Sequence, residues 1–379
     1  MAKKKESKSK AGRISAADLR NMINQNAGSE LAHDLTTKNP SEVSEWIPTG
    51  SRWLDGIICR GKLAGIPMGR ITEIAGLQAT GKSYLAAQIA GNAQKMGKQV
   101  IYFDSESAID PSFWAASGID VSKIIYVQAK YVEFVFSQIE FLLASAPEES
   151  FVFIWDSLAF TPCQGALEAE GEFGSVGPIA TKPKILNSGM DKLIQPIANS
   201  NSALIVLNQL RTNISSNIYE MRARPYFTPG GKAMDYAASL RIWLTGRNKK
   251  DSKVFDEKGF EIGSEVAVRL EKSRFGTRNR QCGFKILWGD SVGVQDEESW
   301  FEAVKSSPKL KSAGAWWTLA HEDGTEQKFQ SKQWLDLLSN DEKFREQILR
   351  LMDEEVIFKF DDRTGDASNY YDEEELGEE

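Results

Sequence analysis

The eight residues Gly76-Leu77-Gln78-Ala79-Thr80-Gly81-Lys82-Ser83 constrain this chain more than any other stretch. They fit G-x4-G-K-[ST] at every fixed position. Before them, "RITEIA" alternates as a strand does; after them, "SYLAAQIAGNAQKMG" reads as a helix stopped by Gly97. The glycines let backbone N–H groups turn inward around phosphates, and the helix N-terminus adds partial positive charge. Lys82 can reach the β and γ phosphates, and Ser83 can hold Mg²⁺ through its hydroxyl. The bend therefore binds a nucleoside triphosphate.

Strand and helix patterns keep alternating on both sides of it. "QVIYFDSE", "KIIYVQA", "SFVFIWDS", "ALIVLNQ", "ASLRIWLTGR" and "EVAVRLEKSRF" read as strands, with helices over "VEFVFSQIEFLLAS" and "ILNSGMDKLIQPIANS" between them. This spacing predicts an α/β fold, a mostly parallel central sheet covered on both faces. Four regions follow. Residues 1–45 form a basic arm and a helix whose Ile14, Leu19, Met22 and Ile23 share one face and need a surface to pack on, such as a neighbouring subunit. The ATPase core spans 46–290, a small C-terminal domain spans 291–360, and an acidic, disordered tail spans 361–379. In the C-terminal part the pattern turns to charged, aromatic-rich helices such as "ESWFEAVKSS" and "EKFREQILRLM".

Charge refines the choice of partner. The whole chain carries −7, but "DDRTGDASNYYDEEELGEE" alone carries −8, so everything before it is near neutral. Such a tail solvates, or competes with DNA for basic surface. No run of about 18 apolar residues crosses a membrane, and the N-terminal "MAKKKESKSK" lacks the apolar region of a signal peptide. Three scattered cysteines, Cys59, Cys163 and Cys282, suit a reducing cytoplasm and give no zinc site. Two histidines, His33 and His321, leave no room for a histidine-based triad or metal centre.

A metal-bound triphosphate needs an acidic partner. "FVFIWDS" ends an apolar strand on Asp156, where a carboxylate can orient water on Mg²⁺. A base must also activate the attacking water, and Asp104 and Glu106 in "YFDSESAID" are both candidates on chemistry alone. The segment "RTNISSNIYEMRARPYFTPGG", Arg211 to Gly231, is long and has no apolar period. Its Arg211, Arg222 and Arg224, interleaved with Tyr219, Tyr226 and Phe227, are suited to single-stranded DNA.

Taken in order, "PTGSRWLDGII", "GIPMGRITEIAGLQATGKS", "YFDSESAIDPSFWAASGID", "FIWDSLAFTP", "EAEGEFG", "LIVLNQLR", "TPGGKAMDYAAS" and "AGAWW" resemble the RecA family of recombinases, its bacteriophage, UvsX-like branch included. The resemblance implies a RecA-type P-loop ATPase core with a short N-terminal helical region and a small C-terminal α/β domain. It makes Glu106 the catalytic glutamate. Phe113 becomes the ring stacked on adenine and Asp110 the carboxylate at the adenine edge. Gln209 becomes the γ-phosphate sensor, read out by the DNA loop that follows it. Gly230 and Gly231 fall in that loop. Lys182 and Lys184 fall at the end of an earlier DNA loop, as backbone contacts. Lys272 and Arg274 match two basic residues that reach a neighbour's ATP as arginine fingers do. Asp235 departs from the family, which has a lysine there; Lys232 is a candidate to compensate.

The expected activity is ATP-dependent recombination. ATP and Mg²⁺ between subunits would stabilise a helical filament on single-stranded DNA, a duplex would be the exchange partner, and hydrolysis would be the switch. A mediator or a single-strand-binding protein would load it, inside a bacterial cell and as a phage protein. Lys305, Lys309 and Lys311 are candidates to touch incoming duplex. The competing readings are a hexameric DNA helicase on the same core, a small-molecule P-loop kinase, and a non-hydrolysing architectural filament. Closed rings on DNA would mark the first of these.

Overall fold

The structure is a computed structural model that describes residues 14–359 except 38, 40, 108, 169–180, 215, 216, 218, 220, 222–224, 247–251 and 289–291. The basic arm before residue 14 and the acidic tail lie outside the described residues. The chain divides into two compact units, the first ending at Ser44 and the second beginning at Glu45. In the first unit, helix α1 (Ala16–Ala27) starts at Ser15, whose hydroxyl accepts from the Asp18 N–H, and stops at Gly28 with φ 66°. Leu19, Met22 and Ile23 on this helix are exposed, as is Ile14 before it.

In the second unit, a ribbon of β1 (Trp46–Ile47) and β2 (Ile66–Pro67) flanks helix α2 (Arg52–Ile58) in sequence. Strand β3 (Ile71–Gly76) leads through the phosphate bend into α3 (Lys82–Lys95). Next come β4 (Gln99–Asp104), α4 (Pro111–Ala116), β5 (Ile124–Gln128), α5 (Val132–Ser145) and β6 (Phe151–Asp156). Helices α6 (Gln164–Glu168) and α7 (Thr181–Asn199) precede β7 (Ala203–Gln209). A small ribbon of β8 (Arg211–Thr212) and β9 (Tyr226–Phe227) is followed by α8 (Ala233–Ala237) and β10 (Leu240–Gly246). Strands β11 (Lys253–Phe255), β12 (Glu261–Ser273), β13 (Gln281–Leu287) and β14 (Gly293–Gln295) complete the large sheet.

Across that sheet the order is β14-β13-β12-β10-β3-β7-β6-β4-β5, with β11 paired to β12. The strands from β10 to β5 run parallel, and β11 to β14 are added antiparallel at one side. The parallel centre follows from the sequence: β6 and β7 are apolar up to their carboxyl ends, and β3 is buried throughout although it carries Thr72 and Glu73, as strands covered on both faces are. Alternate residues feed two cores. Val100, Tyr102, Val152, Ile154, Ile205 and Leu207 pack with α3 on one face. Ile101, Phe103, Phe153, Trp155, Leu204 and Val206 pack with α5 and α7 on the other.

The segment from 292 onward contains more than the helices read from sequence. Between α9 (Asp296–Val304) and the helices α10 (Trp334–Asn340) and α11 (Glu342–Val356) lies an antiparallel sheet of β15 (Leu310–Ala313), β16 (Trp316–Ala320) and β17 (Glu326–Gln330). The resemblance implied an α/β domain here, but the residue pattern alone did not reveal these strands, because they are short and place Lys, Ser, Glu and Gln on an open face. Strands β13 and β14 were missed too, β13 because Gly283 and Lys285 interrupt its apolar residues and β14 because it is three residues long. Among the described residues, no helix is long and apolar enough to cross a membrane.

Candidate functional site

The phosphate bend is held in shape before any ligand arrives. Ala79 (φ 57°) and Gly81 (φ 79°) both adopt left-handed backbone. At Gly81 a Cβ would also lie 2.5 Å from Ile286 Cδ1 of β13, so a side chain there would force that buried isoleucine to move. Neighbouring strands pin the bend: the Leu77 N–H donates to Leu244 O, and the Leu210 N–H donates to Gly76 O. Lys82 Nζ donates to Gly76 O (3.3 Å) and Leu77 O (3.1 Å), so its ammonium rests on the loop it serves. Burial pushes its pKa down, opposed by the nearby Asp156 and Glu106 carboxylates.

Asp156 ends β6 as the sequence predicts, beside the start of α3. Ser83 Oγ donates to Asp156 Oδ2 at 2.9 Å, and the buried phenol of Tyr102 donates to the same oxygen at 2.6 Å. Burial raises the Asp156 pKa, and these two hydrogen bonds oppose it. A hydroxyl and a carboxylate that converge in this way are hard oxygen donors. They suit Mg²⁺, which keeps most of its waters and takes one or two protein ligands beside phosphate oxygens. Among the described residues, no group of three or more acidic, His or Cys side chains gathers into a metal cage.

The two candidate bases have different surroundings. Asp104 is buried, and its carboxylate accepts from the N–H groups of Glu106 (2.8 Å) and Ser107 (2.9 Å) and from the Tyr126 hydroxyl. It is engaged in shaping the loop. Glu106 is exposed, and Ser157 Oγ donates to its Oε1 at 2.8 Å. Ser157 directly follows Asp156 at the end of β6.

Ser83, Tyr102, Asp104, Glu106 and Asp156 line a cleft of about 510 Å³. Asp110 is on its wall; Phe113 lies in α4, but its side chain is outside the described residues. Sequence reasoning missed four aromatic residues of its lining, Tyr84, Tyr102, Trp114 and Trp288. The rings of Tyr84 and Trp288 lie 6.2 Å apart although their residues are far apart in sequence. The only available signal was the position of Tyr84 directly after Ser83.

At the end of β7, Gln209 is half-buried, and its neighbour Asn208 is wholly buried. Asn208 Nδ2 donates to Glu73 Oε1 (2.9 Å) and to Pro229 O (3.1 Å). Glu73 also accepts from Arg241 Nε at 2.5 Å, and Arg241 reaches Thr228 Oγ1 and Asp235. Asp235, the departure noted above, thus pairs with Arg241 of its own chain. A connected polar network joins β7 to Thr228 and Pro229, which precede Gly230 (φ 100°) and Gly231 (φ 68°).

Arg211 lies exposed in β8, and Tyr219 and Ile214 are among the most exposed side chains. Arg222 and Arg224 lie outside the described residues, as does most of "EAEGEFG". Lys184 is exposed on α7. Lys182 points inward: Nζ donates to the carbonyls of Leu158 (2.8 Å), Ala159 (3.2 Å) and Thr161 (2.7 Å), which occupies all three of its protons. Lys272 donates to the carbonyls of Asp235 and Tyr236, and Arg274 donates to that of Tyr236 at 2.8 Å. Burial, then repulsion from Arg274 and Arg241, brings the Lys272 pKa down to about 8. Lys272 lines a second cleft of about 820 Å³, separate from the one around Ser83. Lys305 pairs with Glu302 and Lys309 with Glu354, while Lys311 is exposed in β15.

Comparison with known proteins matches the family described as the RecA N-terminal domain over residues 15–293. Proteins named "Protein RecA" from Aquifex aeolicus and Aquifex pyrophilus are 34% and 33% identical over 248 residues. Each match covers 65% of this chain and about two thirds of the relative, 67% and 66% respectively.

Proposed function

Because this chain belongs to the RecA family, we propose that it is an ATP-dependent DNA recombinase that assembles as a helical filament on single-stranded DNA. ATP occupies the cleft around Ser83, with its phosphates on the bend from Gly76 to Ser83 and its adenine toward Asp110 and Phe113. Mg²⁺ held by Ser83 and Asp156 would neutralise developing phosphate charge. Lys82 leaves its loop carbonyls for the phosphates, Glu106 polarises the attacking water, and Ser157 orients Glu106.

Gln209 senses the γ-phosphate and passes its state along Asn208 and Pro229 to the loop from Arg211 to Gly231. Arg211, Arg222, Arg224 and Lys184 hold DNA phosphates, and Gly230 and Gly231 let the backbone approach. Lys182 joins them only if it gives up its carbonyl partners. Lys272 and Arg274 line no part of their own chain's nucleotide cleft, which supports a role at a neighbour's ATP. The C-terminal module, 291–360, meets duplex DNA through Lys311. Lys305 and Lys309 contribute less, since each already has a carboxylate partner.

One observation carries this reading: Ser83 with Asp156, and Ser157 with Glu106, form two hydroxyl–carboxylate pairs whose carboxylates line one cleft. The test is ATP turnover with and without single-stranded DNA. DNA should stimulate it, and Glu106→Gln should cut the stimulated rate by about 100-fold, the lower end for a general base, without loss of nucleotide binding. An undiminished rate in Glu106→Gln would rule out hydrolysis at this site.

A further inference from the structure

Tyr102 is a polar residue in an apolar position. It sits on the face of β4 that packs with Val100, Ile154 and Ile205, and its side chain is wholly buried. Phenylalanine would fill the same space without burying a hydroxyl, which is costly when left unpaired. The hydroxyl is paired. Tyr102 stands opposite Ile154 in the β4–β6 register, two residues before the matched pair Asp104 and Asp156. Its ring therefore runs along the sheet face toward the carboxyl edge and delivers its O–H to Asp156 Oδ2 at 2.6 Å. Trp114 holds the ring edge-on, with centroids 4.8 Å apart and planes at 80°.

Two donors thus converge on one oxygen, and they differ in freedom. Ser83 stands at the open mouth of the cleft, where its hydroxyl can rotate toward a ligand. Tyr102 is enclosed and cannot. Among the described residues, Asp156 Oδ1 accepts no protein hydrogen bond, so the phenol fixes one oxygen and leaves the other to the cleft. Groups that orient a metal-binding carboxylate from behind typically change metal affinity or activity by about 10–100-fold when removed.

We propose that Tyr102 is a positioning residue for the metal site: its phenol aims the Asp156 carboxylate and thereby sets the chain's affinity for Mg²⁺ with nucleotide. The inference rests on the reading of Ser83 and Asp156 as the metal-binding pair. It assigns Tyr102 no contact with nucleotide and no proton transfer.

The experiment measures binding of a fluorescent, non-hydrolysable ATP analogue by the full chain, in chelator and across a Mg²⁺ titration, for the wild type and Tyr102→Phe. The expected result is a Mg²⁺ midpoint raised by about tenfold in Tyr102→Phe, with affinity in chelator unchanged. A midpoint equal to wild type overturns the inference, as does an equal loss of affinity with and without Mg²⁺, which marks general damage to the cleft. A wild-type chain whose affinity ignores Mg²⁺ overturns the metal-site reading and the inference together. Should Tyr102→Phe fail to fold, 3-fluorotyrosine placed at 102 decides, since it keeps shape and hydroxyl but donates more strongly. A midpoint moved by twofold or more with chelator affinity intact supports the role, and an unmoved midpoint overturns it.

Discussion

The ion pair between Glu73 and Arg241 should be the most damaging single site to disturb outside the nucleotide cleft. Glu73 has 0% of its side chain exposed, and Arg241 has 7%. The carboxylate bridges two strands, accepting from Arg241 Nε on β10 and from Asn208 Nδ2 on β7. Burial acts against the Arg241 charge, but Glu73 more than offsets it and raises the Arg241 pKa. Glu73→Gln keeps the shape and removes the charge. Arg241 would then be left with Asp235, which is 48% exposed, and the Thr228 hydroxyl. Removing one partner of a buried pair costs about 3–5 kcal/mol, and the surviving Asp235 contact places this case near about 3 kcal/mol. At about 2 °C per kcal/mol for a chain of this size, the melting temperature should fall by about 6 °C. Differential scanning calorimetry at neutral pH reads this directly. Replacing both partners with methionine should recover more than half of the loss, because no buried charge then lacks a partner. A single variant within about 1 °C of wild type, or a double variant no better than the single, would refute the argument that the network is held by charge.

Three further outcomes are expected. Lys272→Ala should lower DNA-stimulated turnover by about 100-fold, a modest share of what an arginine-finger group supplies, while nucleotide affinity of the dilute single chain stays unchanged; equal rates would remove the trans role. Burial raises the Asp55 carboxyl to about 8 and that of Asp296 to about 6, so the folded chain holds protons that the unfolded chain releases near pH 4. The stability these two carboxyls contribute is therefore full below about pH 4 and is lost as pH rises, levelling off above 6 for Asp296 and above 8 for Asp55. Asp55→Asn, which keeps an acceptor for Thr49, should flatten the slope of urea stability approaching pH 8 by about 1.4 kcal/mol per pH unit, and an unchanged slope would show that Asp55 is ionised throughout. Deleting 361–379, with its charge of −8, should tighten DNA binding most at low salt, and equal affinity there would dismiss competition by the tail.

The parts of this molecule that sequence made legible are those where one local rule acts alone. The phosphate bend needs left-handed backbone at Gly81 and a hydroxyl at Ser83, and both requirements are met within eight residues. The parallel strands announce themselves because burial on both faces keeps β6 apolar up to Asp156 and β7 apolar up to Asn208. The choice between Asp104 and Glu106 could not be read from residue chemistry, since a carboxylate that shapes a loop and one that faces a cleft look alike until the donors are placed. Lys182 shows the same limit: a lysine beside a predicted DNA loop reads as a phosphate contact, and only the fold reveals three carbonyls around it. Asp235 shows it in reverse. Its charge looked foreign to the interface until Arg241, on the next strand, supplied the partner. In each case the missing information was which polar groups meet once the chain is folded. Apolar periodicity fixes which face of an element is buried, but it does not say which buried polar atoms will meet. The network from Asn208 through Glu73 to Arg241 is therefore the part of the site hardest to read from sequence, and it joins the strand that ends at Gln209 to the root of the loop assigned to DNA.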